Sequence, residues 1–171
     1  MFRGIDSSAA RGLEQFLISC SVVALAAATP AWADCTPKPT TAFGTVTCTG
    51  NEAVGLVVDT DQTIVTVSIG ATVSNSGSSG IVVTSGTPNA APNGNTSTII
   101  INGTVTGGTE SGILVTNGIP VPGQPFNYGT TRSSVQVAAT GRLTGPIAID
   151  VVSANYPYGF AVVDLTNDGI I

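Results

Sequence analysis

The sequence contains no histidine, and only 9% of its residues are charged. The first absence removes the usual base of a serine or cysteine nucleophile and the commonest metal ligand. The second argues against amphipathic helices, which need charged helix formers on their solvent face. No segment after the first 33 residues shows a 3.6-residue apolar period either. Cations are scarcest of all. Arg3 and Arg11 are balanced by Asp6 and Glu14, which leaves Lys38, Arg132 and Arg142 against eight acids and a net charge of −5. With no basic patch, a polyanion such as nucleic acid is repelled. Five Phe, three Tyr and one Trp are too few for the aromatic girdles of an outer-membrane barrel within these residues.

The longest uncharged apolar run is Phe16 to Ala28. It is shorter than the roughly 20 residues that span a bilayer. Thr29-Pro30 and Ala31-Trp32-Ala33 follow, a small-x-small exit that reads as signal cleavage between Ala33 and Asp34. Residues 1–33 are therefore expected to be an export signal. Leu17-Ile18-Ser19-Cys20 has the outline of a lipobox, but the apolar stretch runs on past Cys20, which reads as a small apolar residue of the signal. Cys35 and Cys48 remain. In an oxidising compartment two cysteines this close are expected to pair, and a metal site there lacks further ligands.

What the chain has in abundance is a repeated phrase. Gly55-Leu56-Val57-Val58, Gly80-Ile81-Val82-Val83 and Gly112-Ile113-Leu114-Val115 are copies, with Pro146-Ile147-Ala148-Ile149 as a degenerate fourth. Ahead of the later copies stand β-branched alternations and a Gly turn, as in Ile99-Ile100-Ile101-Asn102-Gly103-Thr104-Val105. Alternation puts Val65, Val67 and Ile69 on one face and Thr66 and Ser68 on the other. The same holds for Ile81 and Val83, for Ile113 and Val115, for Ile147, Ile149 and Val151, and for Ala161, Val163 and Leu165. Asn75-Ser76-Gly77, Asn102-Gly103, Gly107-Gly108, Thr140-Gly141 and Asn167-Asp168-Gly169 read as corners that use positive φ. Gly55 to Gly80 is 25 residues and Gly80 to Gly112 is 32, with the excess confined to polar stretches at 86–95, 118–131 and 153–158. Removing these leaves rungs of roughly 22–25 residues.

The expected fold class is all-β: a parallel β-helix, or β-solenoid, of about four rungs over 51–171 with inserted loops. Each strand then pairs with its counterpart one rung away, about 4.8 Å along the axis. One rung cannot bury enough apolar surface to offset its ordering, so the rungs must stack and be capped. Residues 34–50, with Pro37, Pro39 and Phe43, are expected to cap the first rung. Asn167-Asp168-Gly169-Ile170-Ile171 opens another corner and strand, and the natural chain is expected to continue beyond Ile171.

The signal, the Cys-x12-Cys segment ending in Gly44-Thr45-Val46-Thr47-Cys48-Thr49-Gly50, and rungs such as Ile99 to Val105 followed by Ser111 to Val115 resemble the start of an autotransporter passenger. These are type V secreted proteins of Gram-negative bacteria. The resemblance implies a right-handed parallel β-helix, export through the periplasm, and an outer-membrane β-barrel encoded downstream. It also implies a final place at the outer-membrane surface or outside the cell.

Chemistry is thinly represented. Asp59-Thr60-Asp61 and Asp164 with Asn167 and Asp168 are oxygen clusters of the kind calcium takes, but calcium wants six to eight ligands, and turn acids in water are the ordinary reading. Asp150, Asp164 and Asp168 are glycosidase carboxylates by type alone. Phe126, Tyr128, Tyr156 and Tyr158 lie on the inserted loops and are candidate ligand contacts. No catalytic, cofactor or metal residues are assigned. The expectation is a non-enzymatic adhesin-type passenger with a host-surface or glycan ligand. A secreted polysaccharide-active β-helix enzyme and a structural matrix solenoid are the alternatives.

Overall fold

The structure is a computed structural model that describes residues 34–84, 94–117, 130–153 and 160–171. Ala33, the export segment, Phe126, Tyr128, Tyr156 and Tyr158 lie outside the described residues. Among the described residues every element is a strand. After β1 (Cys35–Thr36) the chain runs β2 (Thr45–Cys48), β3 (Asn51–Glu52) and β4 (Leu56–Val58). It then repeats with β5 (Ile64–Val67), β6 (Thr72–Asn75) and β7 (Ile81–Thr84), and again with β8 (Gly94–Ile101), β9 (Thr104–Gly107) and β10 (Ser111–Thr116). A fourth pass gives β11 (Thr130–Val137), β12 (Arg142–Thr144) and β13 (Ile147–Val152), and β14 (Ala161–Asn167) opens a fifth.

Each pass places one strand in each of three sheets. The first sheet has the order β1-β2-β5-β8-β11-β14, the second β3-β6-β9-β12 and the third β4-β7-β10-β13. Every pairing between named strands is parallel except that of β1 with β2. An all-β chain that visits three parallel sheets in rotation is compatible with a β-solenoid.

Register stacks like on like. Val46, Val65, Ile99, Val135 and Leu165 pair in sequence through the first sheet. Leu56, Ile81, Ile113 and Ile149 do so through the third. In the second sheet the column is Glu52, Val73, Val105 and Leu143. Val65, Ile99, Ile113 and Leu143 are fully buried. The alternation is thus what orients these strands. A β-branched side chain fits the pleat, and the period of two sends every second one inward.

The corners explain the glycines differently from the sequence expectation. Gly103, Gly141 and Gly169 stand where the first sheet turns into the second, and none has positive φ. A Cβ on Gly103 would strike the carbonyl oxygens of Ser68 and Ala71 in the turn before, and one on Gly141 the carbonyl of Ile101. Close stacking of turns, and not backbone conformation, requires glycine there. The adjacent main chains confirm the approach, with Gly103 N–H donating to Val67 O at 3.1 Å and Arg142 N–H to Gly103 O at 2.8 Å.

Four expectations need adjustment. Pro146 does not align with Gly112; register pairs Ser111 with Ile147 and Ile113 with Ile149. The corner from Leu143 to Ile149 is two residues shorter than that from Val105 to Ile113, and Pro146 has no N–H to give a ladder. Inward parity survives because the slip is even. Ile69 leaves the apolar face: β5 ends at Val67 and Ile69 is 76% exposed in the turn. Phe43, expected to help cap the first turn, is 74% exposed with φ of 59°. The insertions are also shorter than they look, since Gly94, Asn95, Thr130 and Thr131 already belong to β8 and β11.

The two ends differ. At the first, β1 covers β2 antiparallel, with Cys35 opposite Cys48 and a disulfide between them. At the other, Ile147, Val151, Val152, Leu165 and Ile170 are about half exposed although they continue inward columns or their flanks.

Candidate functional site

Two places combine geometry with chemistry. The first is the corner between the third and first sheets. All three sequence insertions fall there, between β7 and β8, β10 and β11, and β13 and β14. The other two corners stay short in every pass. Under this corner the first sheet begins with polar side chains turned inward. Asn95 is fully buried and its Nδ2 donates to Val58 O at 3.0 Å and Thr84 O at 2.9 Å, tying two turns together. Ser97 Oγ donates to Asn95 Oδ1. Thr131 Oγ1 donates to Thr116 O at 2.9 Å. In the first pass, which has no insertion, Thr60 Oγ1 bonds Thr40 Oγ1 at 2.9 Å and Thr63 Oγ1 at 2.8 Å. The bonds from Asn95 and Thr131 satisfy carbonyls that leave the ladder where the chain turns, and the hydroxyl contacts satisfy the buried side chains themselves. Sequence reasoning missed this buried seam, because Asn, Ser and Thr beside a loop look like solvated loop residues.

The second place is a recess of ≈ 370 Å³ beside β10 and β13. Leu114, Ile147 and Val152 line it with apolar surface, and Glu110 and Asp150 supply its charge. Glu110 precedes β10. Its Oε2 accepts hydrogen bonds from Ser78 Oγ at 2.8 Å and Ser79 Oγ at 3.0 Å. The Ser78 hydroxyl, then that of Ser79, holds the Glu110 carboxyl below its ordinary pKa, against a smaller opposing effect of desolvation. Both hydroxyls fall on one oxygen, Oε2, and a hydrogen bond from the Ser79 N–H adds to the same downward effect. Asp150 pairs in register with Leu114 on the outward face of the strand.

The remaining sequence candidates are placed as follows. Cys35 and Cys48 form the disulfide and are buried. Asp34 is exposed and sits beside Glu52 and Lys38. Lys38 Nζ lies 2.6 Å from Glu52 Oε2 and 3.8 Å from Asp34 Oδ1. Hydrogen bonding to Glu52 is the main cause that lowers the Asp34 pKa, with the Cys35 N–H second. Asp34, Cys35 and Glu52 bring three potential ligand atoms within 4.8 Å of one another. The Cys35 sulfur is committed to its disulfide and the Lys38 ammonium fills the space a cation would take, so the donor set does not suit a metal. Asp59 accepts from Thr40 Oγ1, and Asp61 Oδ1 accepts the N–H of Gln62 and of Thr96. Both act as turn acceptors. Asn167 Oδ1 caps Gly169 N–H, and Asp164 and Asp168 are exposed. Asp150 shares a recess with Glu110.

Comparison with family models, with curated proteins and with solved structures found no match for this chain.

Proposed function

We propose that this chain is the exported, surface-exposed passenger of an autotransporter-type protein, a right-handed parallel β-helix that works by adhesion and not by catalysis. The observation that carries the reading is the return of all three insertions to one corner in successive passes. In stacked repeats, insertions that project from a single edge build a continuous binding face on a rigid support. Two of these insertions contain Phe126, Tyr128, Tyr156 and Tyr158, side chains that stack on sugars and fill partner pockets. The partners in this reading are the export machinery, an outer-membrane β-barrel encoded downstream, and a host-surface or glycan ligand.

The test is display and binding. The complete open reading frame, expressed in a Gram-negative host, is expected to place residues 34–171 where external protease reaches them. Cells should then bind glycan or host-cell surfaces. Shortening 118–129 and 154–159 to Gly-Ser links should abolish binding while protease-accessible protein remains. Retention of the chain inside the cell, or unchanged binding after both deletions, overturns the reading.

Glu110 and Asp150 in one recess favour a second reading, a polysaccharide-active enzyme. Reducing ends released by the purified protein, and lost in Glu110→Gln, would select it over adhesion.

A further inference from the structure

The first sheet starts at the corner that bears the insertions, and register draws one outward row across that start. Thr45 pairs with Ile64, so Phe43 and Gln62, two residues ahead of each, stand at equivalent places in successive passes. Phe43 N–H donates to Asp61 O at 3.0 Å, which ties the two corners together. Ile64 pairs with Thr98, which carries the row from Gln62 to Thr96. Thr96 then pairs with Arg132, and Arg132 with Val162. Phe43, Gln62, Thr96 and Arg132 are exposed. At about 4.8 Å per pass, Phe43 stands about 14 Å from Arg132 along the axis. Phe160, two residues ahead of Val162 and just after the third insertion, is 66% exposed beside the other end.

Phe43 is unfavourable twice over. A large aromatic face left in water forgoes the burial that usually places Phe in a core. Its φ of 59° lies in the left-handed region, where a side chain is strained and glycine is not. Gln62 repeats that conformation at the equivalent place, with φ of 52°, so the corner itself imposes it. Glycine would meet the demand at lower energy in both passes. Stability of the fold therefore does not account for an aromatic ring at position 43, whereas a ligand that covers the ring does.

We propose that this row is a binding track for a neutral linear oligosaccharide; the inference rests on the adhesion reading and names its ligand. Phe43 and Phe160 stack on sugar faces near the two ends, and Gln62, Thr96 and Arg132 hydrogen-bond sugar hydroxyls between them. The four passes from Phe43 to Val162, about 19 Å, select a chain over a mono- or disaccharide. Charge selects a neutral one, because the row holds a single cation in a chain of net charge −5, which repels a polyanion. The described ion pairs are both made by Lys38, so no carboxylate among the described residues occupies the donors of Arg132.

The test is titration calorimetry on the purified, disulfide-intact chain. The probe is cellohexaose, with cellobiose as the short control and hexagalacturonate as the charged one. Cellohexaose is expected to bind about tenfold or more tightly than either. Phe43→Gly should weaken cellohexaose about tenfold while the thermal midpoint holds or rises, because glycine adopts φ of 59° without strain. Loss of the fold therefore cannot mimic the result. Phe160→Ala should weaken binding to a similar extent by an independent change at the other end. Arg142→Gln removes a cation from the second sheet and should leave binding unchanged. Unchanged affinity in Phe43→Gly or Phe160→Ala, or a midpoint that falls in Phe43→Gly, overturns the track. Absence of cellohexaose binding, or preference for either control, overturns it as well. None of these outcomes decides the adhesion reading, which is read separately from surface display and from deletion of 118–129 and 154–159.

Discussion

Replacing Ile99 by Ala should be far more damaging than replacing Leu165 by Ala, although the two belong to one column. They are linked through Val135, which pairs with both. Ile99 is fully buried between Val65 and Val135, whereas Leu165 is 48% exposed at the end of the stack. Ile99→Ala removes three carbons, about 2.4 kcal/mol at roughly 0.8 kcal/mol per buried methylene. Neighbours in stacked strands are held about 4.8 Å apart by main-chain hydrogen bonds and cannot collapse into the gap, so a cavity term adds to this. The expected loss is about 3–4 kcal/mol. Leu165→Ala forfeits about half the transfer term and opens no closed cavity, giving about 1 kcal/mol. Urea unfolding of the oxidised chain, followed by far-ultraviolet circular dichroism, reads both from midpoint shifts at constant slope. Equal losses for the two variants, or a loss under about 1 kcal/mol for Ile99→Ala, would refute the claim that inward columns of apolar side chains hold the passes together.

Further outcomes follow from the same structure. Replacing Cys35 and Cys48 together by Ser should cost about 3 kcal/mol, from a closed loop with a sequence separation of 13, and should free β1 from β2 as read by faster amide exchange at Thr36 and Thr47. Gly103→Ala, where a Cβ meets two carbonyls, should cost about 2–3 kcal/mol. Gly70→Ala, where φ is +80° but nothing lies within 4 Å, should cost only about 1 kcal/mol. Their thermal midpoints should rank in that order. The Glu110 carboxyl has a lowered pKa in the folded chain. Its contribution is therefore complete above the ordinary carboxylate range and is lost as pH falls through the folded value. Ser79→Ala should move the Glu110 titration, followed by side-chain NMR, back toward higher pH; an unmoved titration would show that the serine hydroxyls do not set it.

Parity, period and sheet type were legible in the sequence, because they depend only on what neighbouring residues along one strand can do. Alternating Val, Ile and Thr fixes which side chains face inward, and the recurring Gly-plus-apolar phrase fixes that turns repeat. Even the misaligned fourth copy kept its faces, since an even slip preserves a period of two. The disulfide was also within reach, the two cysteines being close in sequence.

What required the third dimension was everything decided between turns. Glu52 occupies an inward position otherwise taken by Val73, Val105 and Leu143, and it is tolerated because Lys38 and the Val54 N–H meet its two oxygens. Gly103 and Gly141 are glycines because another turn's carbonyl lies where a side chain would start. Asn95 and Thr131 are buried because the chain must satisfy carbonyls at a corner, a demand invisible along the strand. Glu110 and Asp150, far apart in sequence, come to one recess only through the register of β10 with β13. Local sequence determines the rung, since pleat and turn are local physics. The stack determines the site, since the distance from one pass to the next is set by main-chain pairing that no single strand can specify.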